Sequence, residues 1–429
     1  MRLGKYVIFI KQNDKIYSYN ALNNGLCELK PEIYEKILRR EFDTLKIENF
    51  EVFNELYKTF YIVPKNFSEE NYIKMLNWEA KFSKDAISLT IAPTLDCNFN
   101  CFYCYQQNYK KPSYMSNEIV DKVLNFIKQR ITSSTKLIYI NWYGGEPLLS
   151  IETIRYLTKE LKNISGNQEI RIEASIITNG FLLNEKYSKI LSEECNVKTV
   201  QITLDGPKDI HDKRRPHKEG SSYEVIMNNL KKSANFFDRV LVRINVDRTN
   251  KDFVPELLNE LKDMKVQPYL APVSLDNIEN QNFFDICFSI KEFALEYFKM
   301  KENVFFSNNI SYPFLNFGSC GAVRKNSFVI DPNGNIYKCW NEIGQLEKRV
   351  GTVSDGILNY SRYLKWITFD PTEISECKEC KILPLCNGGC PYRILFPEEQ
   401  NLEKRCSEYK WTLKNELSLW IAKQVETIK

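Results

Sequence analysis

"AISLTIAPTLDCNFNCFYCYQ", residues 86–106, reads in two halves. The first half, "AISLTIAPT", is a short apolar run that ends at a proline, as a buried strand does. The second half places Cys97, Cys101 and Cys104 within eight positions. No histidine stands beside them, and the whole chain has only two. A tetrahedral zinc site takes four ligands, and disulfides consume thiols in pairs. Three thiolates with one position left open suit an iron–sulfur cube in which one iron stays free for a substrate or cofactor. In α/β folds ligands bind beyond the carboxyl ends of the strands, so a cysteine loop directly after a strand marks that end as the site.

The regions on either side repeat the strand-then-helix pattern. After the cysteine loop come the helix "SNEIVDKVLNFIKQRI", the strand "KLIYINWYGG" and the helix "SIETIRYLTKELKNI". "IRIEASIITNG", "VKTVQITLDG", "RVLVRINVD" and "VQPYLAPV" are four further strands, each followed by a helix. The last of these helices is "FFDICFSIKEFALEYF", from Phe283. Six β–α units in succession, residues 85–302, imply a parallel sheet, either open and doubly wound or curved into a partial barrel. Residues 1–84 read as a small α+β unit. "YVIFIKQNDKIYSYN" gives two strands around an Asn-Asp turn, and "KPEIYEKILRREF" and "ENFEVFNELYKTFYIVP" give two helices. Residues 303–429 are rich in cysteine, with a hairpin at "FVIDPNGNIYKCW" and a final helix whose Leu413, Leu417, Trp420, Ile421 and Val425 recur at helical spacing.

Composition excludes some classes. The net charge is +4 over 429 residues, with no long block of one sign, so neither nucleic acid nor an anionic membrane surface is expected as a partner. "YVIFI" is too short for a signal-peptide core or a spanning segment. A cytoplasmic location follows, where thirteen cysteines point to metal rather than disulfides.

Polar groups cluster at the strand ends. "YGGEP" (143–147) closes the second strand of the α/β region, "SIITNG" (175–180) the third and "TLDG" (203–206) the fourth. Gly144 and Gly145 allow close backbone approach to a ligand, and Glu146 offers a carboxylate to an ammonium. At these residues the chain resembles the radical S-adenosylmethionine (SAM) superfamily, through its C-x3-C-x2-C loop, its Gly-Gly-Glu-Pro run and its strand order. The resemblance implies a partial (β/α)6 barrel. It implies that Cys97, Cys101 and Cys104 bind a [4Fe–4S] cluster whose free iron takes SAM, and that an electron from the cluster cleaves SAM to a 5′-deoxyadenosyl radical. It further implies that Tyr103 flanks the adenine, that Gly144, Gly145 and Glu146 receive the SAM ammonium, and that Ser175 touches the ribose. Arg215, in "HDKRR", would pair with the SAM carboxylate. His211 and His217 read as structural.

Cys320, Cys339, Cys377, Cys380, Cys386, Cys390 and Cys406 follow downstream. C-x2-C pairs commonly build zinc sites, but seven cysteines leave a second zinc one ligand short. Their spacing resembles the SPASM extension of radical SAM enzymes that modify peptides and proteins. That resemblance implies two auxiliary [4Fe–4S] clusters, one on Cys320, Cys339 and Cys390 and one on Cys377, Cys380, Cys386 and Cys406. Three clusters in all are then expected.

Two departures narrow the function. Anaerobic sulfatase-maturating enzymes carry a further cysteine six residues after the first SPASM cysteine, where this chain has Asn326. The first auxiliary cluster then has three evident ligands, with Cys287, Cys195 and Cys27 as the remaining candidates. Those enzymes also carry a catalytic Asp directly after the second SPASM cysteine, where this chain has Trp340. The N-terminal unit resembles the winged-helix-like domain with which ribosomal-peptide (RiPP) maturases hold the leader of a precursor peptide. The expectation is therefore a peptide maturase that forms a thioether or carbon–carbon crosslink, with a leader-bearing precursor and a reductant such as flavodoxin or ferredoxin as partners. A sulfatase-type maturase, an enzyme acting on a small molecule and a non-catalytic iron–sulfur scaffold are the alternatives. No catalytic base is evident.

Overall fold

The computed structural model describes residues 1–109, 112–166, 169–273, 285–302, 312–318, 320–399 and 406–428. Its centre is a ten-stranded sheet. Six strands, Ala86–Ile91, Leu137–Trp142, Arg171–Thr178, Val197–Thr203, Arg239–Val246 and Gln267–Pro272, lie side by side in chain order, and every pairing among them is parallel. A doubly wound sheet reverses its strand order at a switch point. This one never reverses, so the winding is that of a barrel wall. Among the described residues the wall is not closed, because the last strand is an edge.

Alternation along the strands separates two faces. Ile87, Leu89, Ile91, Ile138, Ile140 and Trp142 are buried in the main core with residues of the outer helices, among them Val120, Val123, Ile154 and Leu157. The opposite face is polar: Thr90 lies beside Asn141, and Asn141 beside Ser175. Hydrophobic burial thus holds the wall from outside and leaves a hydrophilic lumen. The helices are positioned by local caps. Ser116 accepts from the Ile119 N–H at the start of Asn117–Lys128, and Asn184 from the Tyr187 N–H at the start of Glu185–Lys189. The last expected helix begins only at Ile290, after a turn; Phe283 and Phe284 lie outside the described residues.

The cysteine-rich region continues the same sheet. Strand Ser327–Ile330 pairs in parallel with the first barrel strand, Ala86–Ile91, and turns back as a hairpin into Asn335–Tyr337. No sheet boundary separates the two regions; the expected division after residue 302 abuts residues 303–311, outside the described set.

The N-terminal unit differs from its expected β–β–α–α pattern. It has a three-stranded antiparallel sheet, Val7–Gln12, Lys15–Asn20 and Gly25–Leu29, in that order. Three short helices follow, Pro31–Leu38, Phe42–Glu48 and Phe50–Lys58. The stretch read as one helix, "KPEIYEKILRREF", breaks at Arg40, whose φ of 60° is left-handed. A fourth helix, Glu69–Phe82, capped by Ser68, leads to the barrel. This unit packs on the C-terminal region. Tyr6, Ile8, Ile10, Tyr17 and Tyr19 share an apolar cluster with Ile382, Leu383, Leu385, Leu413, Leu417 and Ile421. The fourth helix adds polar ties. The Asn77 and Asn387 amides bond to each other (2.8 and 2.9 Å), and Lys81 Nζ donates to the Phe369 carbonyl (2.7 Å).

Candidate cluster and cofactor site

The cysteine loop is held by backbone from the neighbouring strand end. Gly145 N donates to Thr94 O (3.1 Å) and Glu146 N to Asp96 O (2.8 Å). A Cβ on Gly144 would lie 2.3 Å from Thr94 O, and one on Gly145 2.0 Å from Asp96 O. The glycines are therefore required first by the approach of two protein backbones. From below, Asn98 in the loop accepts from Asn179 Nδ2 (2.8 Å) and contacts His217 Nε2 (3.3 Å), while Asn100 N donates to Pro216 O (2.9 Å). His217 stacks on Phe181 at 3.9 Å. The loop bearing Cys97, Cys101 and Cys104 is thus clamped by the second, third and fourth strand ends, the ends singled out by their polar residues.

Glu146 is fully buried. Its carboxylate accepts from Thr178 Oγ1 (2.7 Å), Asn179 N (2.7 Å) and Leu148 N (3.0 Å). Burial pushes its pKa up, against the pull of those donors. The side chain knits the strand ends together, so an incoming ammonium would meet the backbone of 144–146 rather than this carboxylate. Ser175 sits on the lumen face, donating to Asn141 Oδ1 (2.8 Å) and accepting from Tyr139 (2.7 Å). Its second lone pair remains as an acceptor. Tyr103 donates to Asp205 Oδ2 (2.6 Å) and accepts from Arg215 Nη1 (2.6 Å) and Asn245 Nδ2 (3.0 Å). Arg215 is itself buried, and among the described residues its Nε has no hydrogen-bond partner. His211, beside it, is buried and held neutral by desolvation and then by Arg215, which bring its pKa down to about 3.

Asp205, Asn245, Thr178 and Asn179 were not read as site residues. "TLDG" and "SIITNG" marked their strand ends, but the network they form joins side chains from different strands. The same holds for Tyr105 and Tyr143. Their hydroxyls meet, and Tyr143 stacks on Trp340 at 5.7 Å. These rings lie where both Cys104 and Cys339 act on them electrostatically.

Six of the C-terminal cysteines lie against two different apolar clusters. Cys320, Cys339 and Cys390 pack against one apolar cluster that includes Trp366, Tyr392 and Phe396. Burial, then Glu342, Cys320 and Cys390 push the Cys339 thiol well up. Glu342 is fully buried and accepts from Cys339 N (3.3 Å) and from Arg362 Nε (2.9 Å). Cys377, Cys380 and Cys386 pack against the cluster shared with the N-terminal sheet. Ser407 N points at Cys386 Sγ (3.3 Å), and Lys410 Nζ at Cys406 Sγ (3.6 Å). None of the three extra cysteines joins the first set. Cys195 lies in the barrel core, Cys27 beside the N-terminal apolar cluster and Cys287 beside Asp247 and Arg248. Among the described residues no three Cys, His, Asp or Glu side chains crowd the space of a single metal ion. In a cube each thiolate binds its own iron, so its ligands stand farther apart.

Residues 91–267, from the first barrel strand to the start of the sixth, match the family model of the radical SAM superfamily. Over that segment the chain is similar to the radical SAM superfamily, a likeness that implies SAM and a [4Fe–4S] cluster. The segment suits both: it has three thiols on one clamped loop and, beside them, a buried guanidinium whose Nε is unpaired among the described residues. The chain is 24% identical to the radical SAM cyclopropyl synthase TigE of Paramaledivibacter caminithermalis, over 90% of this chain and 89% of that one. It is 25% identical to a cysteine-type anaerobic sulfatase-maturating enzyme of Clostridium perfringens, over 76% of this chain and 94% of that one. Among solved structures, a histidine-tagged anSMEcpe with bound AdoMet has a similar fold, with a TM-score of 0.60 at 20% identity over 80% of this chain and 98% of that one. Streptococcus suis SuiB bound to precursor peptide SuiA gives 0.51 at 14% identity over 94% and 98%. No described helix is long and apolar enough to cross a membrane.

Proposed function

We propose that this chain is a radical SAM maturase that abstracts hydrogen from a precursor peptide and forms a thioether or carbon–carbon crosslink in it. Cys97, Cys101 and Cys104 hold the SAM-binding cluster. The backbone of Gly144, Gly145 and Glu146 receives the SAM ammonium. Arg215 turns its unpaired Nε to the carboxylate, Ser175 accepts from the ribose and the Tyr103 ring flanks the adenine. The bound cofactors supply reductive cleavage of SAM to the 5′-deoxyadenosyl radical. The polar lumen beyond Ser175 and Asn141 admits the substrate. Cys320, Cys339 and Cys390 hold one auxiliary cluster with an open iron suited to a substrate thiolate, and Cys377, Cys380, Cys386 and Cys406 hold the other. Flavodoxin or ferredoxin supplies the electron.

The observation that carries the peptide reading is the strand Gly25–Leu29. It is the last strand of the N-terminal sheet and pairs on one side only among the described residues. Such an edge accepts an extended peptide by strand addition. The match to SuiB supports the comparison. At 94% coverage of 429 residues it leaves about 26 unmatched, so most of residues 1–84 fall within it. We take this unit as the winged-helix-like leader-binding domain and residues 303–429 as the SPASM domain.

The second reading, a sulfatase maturase, is favoured by the similarity to the Clostridium perfringens enzyme. Against it, Trp340 follows Cys339, and the nearby carboxylate of Glu342 is bound by Arg362. Incubation with SAM, a reductant and the short peptides encoded beside the gene tests the proposal. Loss of two hydrogens from such a peptide, with one 5′-deoxyadenosine per crosslink, is expected. Conversion of a sulfatase-derived Cys peptide to formylglycine instead would refute it.

A further inference from the structure

Tyr6 stands just before the first strand of the N-terminal sheet. It is wholly buried, and among the described residues its hydroxyl has no hydrogen-bond partner. Two other tyrosines of this unit are satisfied: Tyr19 donates to Asn24 Oδ1 (2.7 Å) and Tyr61 to Gly25 O (2.7 Å). A buried hydroxyl without a partner costs ~1–3 kcal/mol, and phenylalanine would fill the same volume without that cost. The nearby carboxylates are engaged elsewhere, Glu69 with Arg2 and the Lys5 N–H, and Glu70 with Lys5 Nζ.

The second C-terminal cysteine set is close to Tyr6: Cys380 acts electrostatically on its hydroxyl. Tyr6 packs in one cluster with Ile382, Leu383 and Leu385, the residues between Cys380 and Cys386, and Cys377, Cys380 and Cys386 pack against that cluster. Lys5 Nζ also comes within 3.6 Å of Glu379 Oε1, so residue 5 lies near this loop. Two donors, Ser407 N and Lys410 Nζ, already point at its sulfurs. Bound iron and sulfide would bring to this space the acceptor that the protein leaves out.

We propose that Tyr6 donates its phenolic hydrogen to a sulfur of the auxiliary cluster held by Cys377, Cys380, Cys386 and Cys406, so that the N-terminal unit completes that cluster's hydrogen-bond shell. The inference rests on the assignment of a cluster to these four cysteines. Hydrogen bonds to cluster sulfurs stabilise the reduced, more negative state and raise the potential. Tyr6 is a positioning and tuning residue in this scheme, and it touches no substrate.

The test is Tyr6→Phe in the full chain, with opposite effects expected in the two forms. In the apoprotein the melting temperature stays level or rises, because an unpaired hydroxyl is removed. In the reconstituted holoenzyme, iron content is unchanged and one auxiliary cluster becomes harder to reduce. Its reduced-to-oxidised ratio at fixed potential falls about tenfold, or about 59 mV for a one-electron couple. The other two clusters do not move, as followed by electron paramagnetic resonance during the redox titration. Unchanged potentials at full iron loading overturn the proposal, as does an apoprotein that melts several degrees lower. A Cys377→Ser/Cys380→Ser variant with the parent's iron content would instead overturn the cluster assignment itself, and the inference with it.

Discussion

Gly145→Ala isolates the fit between the Gly-Gly-Glu turn and the cysteine loop. The added methyl would stand 2.0 Å from Asp96 O and 2.7 Å from Leu95 O. An ordinary contact begins at 3.4 Å, so the backbones must part by about 1.4 Å. That movement breaks Gly145 N to Thr94 O and Glu146 N to Asp96 O. Two backbone hydrogen bonds at ~1 kcal/mol each and an overpacking term of ~1–3 kcal/mol give a local cost of ~3–5 kcal/mol. Cys97 directly follows Asp96, so the strain falls on the first cluster ligand. If it opposes the productive loop geometry, at ~1.36 kcal/mol per decade, 5′-deoxyadenosine formation drops at least about a hundredfold. The assay is anaerobic reconstitution, iron analysis and chromatographic measurement of 5′-deoxyadenosine with dithionite and SAM. Iron should fall from about twelve to about eight per chain, with four per cube on the three-cluster assignment. Gly166→Ala is the control, since its Cβ meets only Lys162 O at 3.3 Å and Asn163 O at 3.9 Å. A Gly145→Ala enzyme that keeps full iron and cleaves SAM within threefold of the parent would refute the reasoning.

Replacing Cys97, Cys101 and Cys104 together by Ala should abolish SAM cleavage and leave the auxiliary clusters, read by iron content and spectroscopy; surviving 5′-deoxyadenosine would remove this loop from the SAM site. Asp212 accepts from Ser222 N, Tyr223 N and Ser221 Oγ. Partial burial would raise its pKa, but these donors and Lys208 win and hold it at about 2, against an ordinary 3.8. Its stabilisation, about 2 kcal/mol at 1.36 kcal/mol per unit, is full above pH 4 and is lost as pH falls from about 4 to about 2. Urea unfolding of apo Asp212→Asn should therefore show that deficit at pH 7 and converge with the parent near pH 2; a deficit independent of pH would contradict it. Deletion of residues 1–84 should strip the cover from Leu383, Leu385, Leu413 and Leu417. The truncated protein should lose the second auxiliary cluster and much of its solubility. A soluble truncation with about twelve irons would show that the shared core is dispensable.

The barrel was legible because its strands obey a period of two and end at Gly, Pro or Asp. The choice between open and barrel winding was not, since it depends on which strands are neighbours. The N-terminal unit was read less well. Gly25–Leu29 contains Gly and Glu, which depress strand propensity, and the break at Arg40 has no glycine to announce it. Candidate site residues that stand beside the cysteine loop in the chain or close a strand could be picked out from the sequence. For Gly144 and Gly145 the sequence offered only part of the reason, because their crowding against Thr94 and Asp96 is a tertiary fact. Tyr6 and Glu342 carry no local signal. They become visible only when the C-terminal cysteines are folded back against them.

The parallel pairing of Ser327–Ile330 with Ala86–Ile91 bears on how the chain is made. On the ribosome the first barrel strand emerges about 240 residues before the partner for its outer edge. At ~5–20 residues per second that interval is roughly 12–50 s. Throughout it, the edge next to the cysteine loop offers unpaired backbone to any passing strand. Completion of this wall is therefore a late event in biosynthesis, and the cysteine loop is framed on both sides only after most of the polypeptide exists.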